Sequence, residues 1–349
     1  MDEQKMESQT VGVVGPGRMG IGIATAILAG GPHHQVHLFD MKKREAGKEE
    51  EALLSAGNEI QTNLRLLQEL GLTSGSPDKA LPSLSLERRL EESLPSCSLV
   101  FEALPEDISV KSGFYSQASS LLPKTTIIAS TTSTFNLGVF KDLYSQPAQV
   151  LVAHWLNPAF LVPLVEVARA EWTHNQACDH LRKFLESVGK VPVTLKDSPG
   201  FIVPRIQVAA MNEAVKILEE GVADAEEIDT AVKAGFGFRL SVLGLLEFID
   251  LGGLDTLARA GGYLHSTLGK EHYAPPASVT KKYGAGELGP KTGRGYFDYS
   301  GVDTNALFEE RYRGFAALLQ AFANSPRLSF RGGIHVDRTS GRRTDEETT

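Results

Sequence analysis

Residues 11–20, VGVVGPGRMG, join a short apolar run to a glycine-rich turn. Gly15, Gly17 and Gly20 stand in G-x-G-x-x-G spacing, and the stretch that follows, MGIGIATAILAG, has a helical apolar period. A strand, a glycine turn and a helix in that order open a βαβ unit that binds dinucleotides. The first glycine permits the tight turn. The second lets a pyrophosphate approach the backbone, and the third lets helix and strand pack closely. Arg18 and Met19 belong to the helix start, whose free N–H groups and positive dipole end suit phosphates.

Working outward, QVHLFD reads as a second strand ending in Asp40, twenty residues beyond Gly20. An acidic side chain there accepts hydrogen bonds from ribose hydroxyls and repels a 2′-phosphate, which favours NAD over NADP. Lys42, Lys43 and Arg44 follow; they either soften that preference or form the solvated start of a helix expected over 42–70. A dinucleotide site makes hydride transfer the leading chemistry.

Further strands are predicted in SLVFEAL, TTIIAST, AQVLVAHWL, PLVEVA and KVPVTL, with helical periods between several of them. Alternating strands and helices imply an α/β Rossmann-type fold with a doubly wound, mostly parallel sheet. Residues 72–83 read as a surface loop. Near 197 the pattern turns helical, with Ser198 as cap, Pro199 in the first turn and Gly221 as terminator. The expected organisation is an NAD-binding domain over 9–196, a smaller all-helical substrate and dimerisation domain over 197–325, and a disordered polar tail over 326–349.

The chain has 349 residues and a net charge of −8, which argues against nucleic acid or an anionic membrane as partner. No apolar run approaches the eighteen or so residues of a membrane span. Cys97 and Cys178 cannot build a disulfide framework and suit a reducing compartment. The first residues, MDEQKMESQT, resemble neither a secretory signal nor a transit peptide, so the cytoplasm is the expected location. No metal site is expected.

The stretch 151–167, LVAHWLNPAFLVPLVEV, places His154 and Glu166 among apolar residues. Taken alone it favours a satisfied core histidine and a carboxylate at a strand end. Beside a dinucleotide site it offers more, because removing hydride from a secondary alcohol needs a base for the hydroxyl proton, and neutral histidine suits that near pH 7. A neighbouring carboxylate would set its tautomer and stabilise the imidazolium. The two residues fit those roles if their strands lie side by side, which the spacing permits without proving.

The chain resembles the L-3-hydroxyacyl-CoA dehydrogenase family over roughly residues 10–300, through VGVVGPGRMG, LVFEALPED, AHWLNPAFLVPLVEV, DSPGFIV and GPKTGRGYFDY in that order. The resemblance implies that His154 and Glu166 are the catalytic pair, and that Ser133, in ASTTST, binds the substrate oxygen. It implies that Asn157 serves both cofactor and substrate, that Glu106, Lys111 and Lys291 contact the cofactor, that the substrate is a small 3-hydroxy acid or acyl-CoA, and that the protein is a homodimer. The family includes a lens crystallin, so a structural or sensing NAD-binding protein is the alternative.

Two departures stand out. Pro204 occupies the position where the family has a substrate-binding asparagine; proline lacks the amide and is expected to disturb the first turns of its helix. The helix after the second strand is lysine-rich in acyl-CoA members but begins with Glu49, Glu50 and Glu51 here. Arg239, in GFGFRLSVLG, resembles an arginine of relatives that act on free hydroxy acids. Its guanidinium suits a carboxylate, the alternative being a buried interdomain or intersubunit salt bridge.

Overall fold

The structure, a computed structural model, describes residues 7–31, 34–45, 47–73, 75–324 and 330. It divides into two compact units, residues 1–209 and 210–349. The first carries an eight-stranded sheet in the order β3-β2-β1-β4-β5-β6-β7-β8. Its strands are β1 (Thr10–Val14), β2 (Gln35–Phe39), β3 (Leu84–Glu87), β4 (Leu99–Glu102), β5 (Ile127–Ser130), β6 (Val150–Trp155), β7 (Leu164–Arg169) and β8 (Val191–Lys196). All neighbours pair in parallel except β6 and β7, which are antiparallel. The order reverses at β1, so the crevice beyond the ends of β1 and β4 is the topological switch point where such sheets bind ligands.

Two cores, one on each face, explain why the strands read as continuous apolar runs. Side chains alternate across a strand. Val11, Val13, Leu99, Phe101, Leu151 and Trp155 therefore share one core with Ile23 and Ile27 of the Arg18–Ala29 helix and Phe184 of the Asn175–Ser187 helix. Val14, Val100, Ile128, Val150 and Val152 share the other with Phe114 and Tyr115 of the Ile108–Leu121 helix. Each fully buried aliphatic or aromatic side chain stabilises the fold by about 1.5–3 kcal/mol.

Several expectations need correction. The helix expected from 42 starts at Lys48 and runs to Glu69. The segment expected as a loop over 72–83 holds a helical turn, Pro77–Ala80, and then a short 3-10 turn leading straight into β3, a strand the sequence reading missed. With four residues, none fully buried, β3 carries a weak pattern. The helix expected to be capped by Ser198 with Pro199 in its first turn begins at Val203 and ends at Glu219. Gly200 and Phe201, at φ 73° and 46°, turn the chain into it. Pro204 is then the second helical residue. An amide there would have no partner within the helix, so proline starts this helix and does not disturb it.

The division of the chain after Ala209 falls inside the same helix, further along than the expected 196. The second unit is helical, with Ala225–Ala231, Leu245–Gly252, Leu254–Leu268, Ala277–Gly284 and Thr304–Asn324 as its main helices. The tail expected over 326–349 lies, apart from Phe330, outside the described residues.

Candidate active site

The glycine turn is built for a ligand. Gly15 adopts φ 109°, and a Cβ there would stand 2.5 Å from the Ala103 carbonyl oxygen. A Cβ on Gly20 would stand 1.9 Å from the Gly15 carbonyl oxygen, so only glycine lets helix and turn meet. Gly17 differs: a Cβ there would meet nothing within 4 Å, so its backbone faces open space. No side chain caps the Arg18–Ala29 helix, and no acidic residue occupies its first turn. Its first N–H groups are thus left for an anion. The Gly15 amide donates to Phe39 O at 2.8 Å, which seats Asp40 next to the turn. These residues fit NAD: a cradle for the pyrophosphate and a carboxylate for the ribose.

Three strand spacings from β1, roughly 14 Å across the sheet, lies β6. The β6–β7 ladder sets His154 directly opposite Glu166. The His154 Nδ1–H donates to Glu166 Oε2 at 2.7 Å. Glu166 Oε1 accepts the amides of Ile202 and Val203, both at 2.9 Å, where the Val203–Glu219 helix begins. A carboxylate at a helix N-terminus is favoured by the dipole and by each charge-assisted bond. Phe201 covers the imidazole, with ring centroids 5.2 Å apart. Exposure falls to 7% for His154 and 1% for Glu166. Among the described residues Nε2 makes no hydrogen bond, so the nitrogen that bears the lone pair is uncommitted.

Ser133 and Asn157 are exposed on the loops after β5 and β6, at the strand ends that also carry the glycine turn. Glu106 is held by the hydroxyls of Thr132 and Thr134 and by the Thr134 amide at 3.1 Å. Burial pushes its carboxyl up, but these hydrogen bonds and the Lys111 charge outweigh that and hold it below the ordinary value.

Lys111 is wholly buried, unlike an ordinary helix-surface charge. Its Nζ bonds both oxygens of Glu102, at 2.7 and 2.9 Å, and lies 3.5 Å from Glu106. Glu102 also accepts from Ser130 Oγ at 2.6 Å and from the Leu104 amide at 2.9 Å. Burial raises the Glu102 carboxyl, with Lys111 opposing. The sequence reading missed Glu102, Ser130 and Thr132. The available signal was a glutamate inside the apolar run SLVFEAL, nine residues before a lysine. In the second unit, Lys291 pairs with Asp255 at 2.6 Å. Arg239 is exposed, bonds Gly235 O through Nε at 3.0 Å and lies 4.8 Å over the Phe248 ring. It makes no ion pair among the described residues.

A switch-point sheet with a phosphate cradle and an oriented histidine defines a dinucleotide-dependent oxidoreductase. Comparison with known proteins narrows this. Residues 10–198 match the family model of the 3-hydroxyacyl-CoA dehydrogenase NAD-binding domain, and residues 200–299 match that of the C-terminal domain. The chain belongs to the 3-hydroxyacyl-CoA dehydrogenase family, and it is an NAD-dependent dehydrogenase acting on CH–OH groups.

It is 34% identical to the 3-hydroxybutyryl-CoA dehydrogenase of Mycobacterium tuberculosis, over 83% of this chain and 98% of that one. It is 31% identical to a 5-formyl-3-hydroxy-2-methylpyridine 4-carboxylate 5-dehydrogenase of Mesorhizobium japonicum, over 89% of this chain and 97% of that one. A crystal structure of a 3-hydroxyacyl-CoA dehydrogenase from Archaeoglobus fulgidus superposes with a TM-score of 0.74 at 29% identity, covering 91% of this chain and 100% of that one. No helix among the described residues is long and apolar enough to cross a membrane.

Proposed function

We propose that the protein oxidises the 3-hydroxyl of a 3-hydroxyacyl-CoA or free 3-hydroxy acid to the 3-keto compound, with His154 as base. One observation carries this reading: the 2.7 Å contact of Nδ1 with a carboxylate that is itself fixed by two backbone amides. Glu166 keeps the proton on Nδ1, so Nε2 presents its lone pair to the substrate hydroxyl. As Nε2 takes that proton the imidazolium forms beside a buried carboxylate, which stabilises it. Ser133 donates its hydroxyl to the substrate oxygen. NAD, bound on the glycine turn, supplies the hydride acceptor. Gly15, Gly17, Gly20, Arg18 and Met19 hold the pyrophosphate, Asp40 the ribose, and Glu106, Asn157 and Lys291 the remaining polar groups.

The substrate's acid group is assigned to Arg239, whose guanidinium is exposed and has no carboxylate partner among the described residues. The acidic first turn of the Lys48–Glu69 helix, Glu49 to Glu51, disfavours phosphate groups and so favours a free acid over a CoA ester. The protein acts as a homodimer in the cytoplasm. The Val203–Glu219 and Thr304–Asn324 helices have no buried residue within the chain, while Ile206, Val208, Met211 and Val215 are exposed on the first of them. Such a face is suited to a second copy.

The test follows NADH absorbance with 3-hydroxybutyryl-CoA, 3-hydroxybutyrate, carnitine and gulonate, using wild type, His154→Ala and Arg239→Ala. Turnover by wild type and a loss of about 10²–10⁴-fold in His154→Ala are expected. Arg239→Ala should raise KM for free acids. Undiminished activity in His154→Ala removes the assigned base, and an unchanged free-acid KM removes the assigned anchor.

A further inference from the structure

The loop that carries Ser133 is held by side chains. β5 ends at Ser130, and the next helical turn begins at Leu137. From Thr132 to Phe135 the chain makes no backbone-to-backbone hydrogen bond among the described residues. Such a stretch moves freely unless side chains restrain it. The near end is tied by the Thr132 amide, which donates to Ser130 Oγ at 3.4 Å. At the far end the Leu137 amide donates to Asp197 Oδ2 at 2.7 Å.

Between these ties one carboxylate gathers the loop. Glu106 Oε1 accepts the Thr132 hydroxyl in a close bond, the Thr134 hydroxyl at 2.5 Å and the Thr134 amide at 3.1 Å. The Thr132 hydroxyl oxygen in turn accepts the Phe135 amide at 2.9 Å. That hydroxyl donates and accepts at once, which an apolar side chain of the same shape cannot do. Thr132 is 1% exposed, so its bonds are shielded from competing water. Glu106 is restrained as well, because its other oxygen lies 3.5 Å from the Lys111 ammonium, which Glu102 fixes.

Ser133 stands between the two threonines. It is exposed, and its hydroxyl makes no hydrogen bond among the described residues. Both of its neighbours are thus anchored to one oxygen while its own donor is left unspent. A donor that must meet a substrate oxygen gains from this, since a misplacement of about 1 Å costs on the order of 10²-fold in rate.

We propose that Thr132 and Thr134 are positioning residues: by converging on Glu106 they hold the Ser133 hydroxyl in place for the substrate oxygen. The proposal rests on Ser133 being the donor assigned above.

The experiment measures kcat and KM with 3-hydroxybutyryl-CoA and 3-hydroxybutyrate, and NADH affinity by nucleotide fluorescence. Ser133→Ala should lower kcat by about 10²–10³-fold, as loss of an oxyanion donor does. Thr132→Val should lower it by about 10–100-fold with NADH affinity kept. Thr134→Val should lower it less, because the Thr134 amide still reaches Glu106. Thr132→Ser keeps the hydroxyl and should recover most of the loss. A threonine that acts through Ser133 has nothing left to position once that hydroxyl is gone. Thr132→Val combined with Ser133→Ala should therefore lie within about twofold of Ser133→Ala alone. Should Thr132→Val fold poorly, the exposed Thr134→Val enters the same cycle.

Multiplying losses in the double variant, an equal loss in Thr132→Ser, or weakened NADH binding with kcat intact overturns the proposal. Full kcat in both valine variants beside a damaged Ser133→Ala also overturns it and leaves the Ser133 reading standing. Full kcat in Ser133→Ala removes that reading, and no turnover by wild type removes the proposed function; this proposal falls with either.

Discussion

Glu102 and Glu166 are both carboxylates on strands of one sheet, 0% and 1% exposed, and each meets a basic side chain at 2.7 Å. They differ in the basic partner. Lys111 spends its donors inward on Glu102 and Glu106 and, while charged, has no lone pair to offer. His154 has two nitrogens: one is held by Glu166 and the other is uncommitted. Two buried pairs of similar geometry are therefore suited to different work: one braces the strand ends at the switch point, and the other presents the base of the proposed function. Burial alone does not mark a reactive pair; a second, free valence on the partner does.

The largest expected effect tests the bracing pair. Lys111→Met leaves Glu102 buried and uncompensated, which should cost about 3–5 kcal/mol in urea unfolding. Glu102→Leu combined with Lys111→Met removes both charges and should recover at least half of that. A double variant as unstable as the single one would show that the charges are not coupled.

Next comes the reactive pair. In Glu166→Gln the amide oxygen can still receive Ile202 and Val203, but the amide NH₂ then faces Nδ1 and forces the proton onto Nε2. The resulting tautomer cannot accept the substrate proton, so kcat should fall by about 10²–10⁴-fold while NADH affinity holds. A fall in NADH affinity with kcat intact would assign Glu166 a structural role only.

The smallest effect concerns Lys190, whose Nζ donates to Ala159 O at 2.8 Å and Val162 O at 3.0 Å, fastening the loop between His154 and Glu166. Burial lowers its pKa to about 8. Between that value and the unfolded value near 10.4, the unfolded chain binds a proton that the folded chain does not. Stability therefore rises with pH across this window and is flat below it. The melting temperature of wild type relative to Lys190→Met should climb from pH 8 to pH 10. A constant difference would show that Lys190 is charged throughout.

How far the sequence was legible depended on how local each feature is. Gly15, Gly17, Gly20 and Asp40 were readable because a turn, a helix start and a strand end are specified by neighbours in the chain. The start of the Lys48–Glu69 helix and the four-residue β3 were not, since short or weakly patterned segments take their state from what they pack against. Lys111 read as a cofactor contact through the resemblance, because nothing in its own helix reveals that Glu102, on another element, takes its ammonium. Pro204 read as a disturbance because the helix start was placed too early by the apparent cap at Ser198.

The sequence by itself determined the sheet-and-helix alternation, the phosphate cradle and the supply of a histidine and a glutamate on successive strands. Only the tertiary structure decided that β7 runs antiparallel to β6 in the register that sets Glu166 opposite His154, with the start of a later helix closing on its other oxygen. The reason is physical: a one-residue slip would turn either side chain to the opposite face. That register is set by loop closure and by two cores packing at once, which no local stretch encodes.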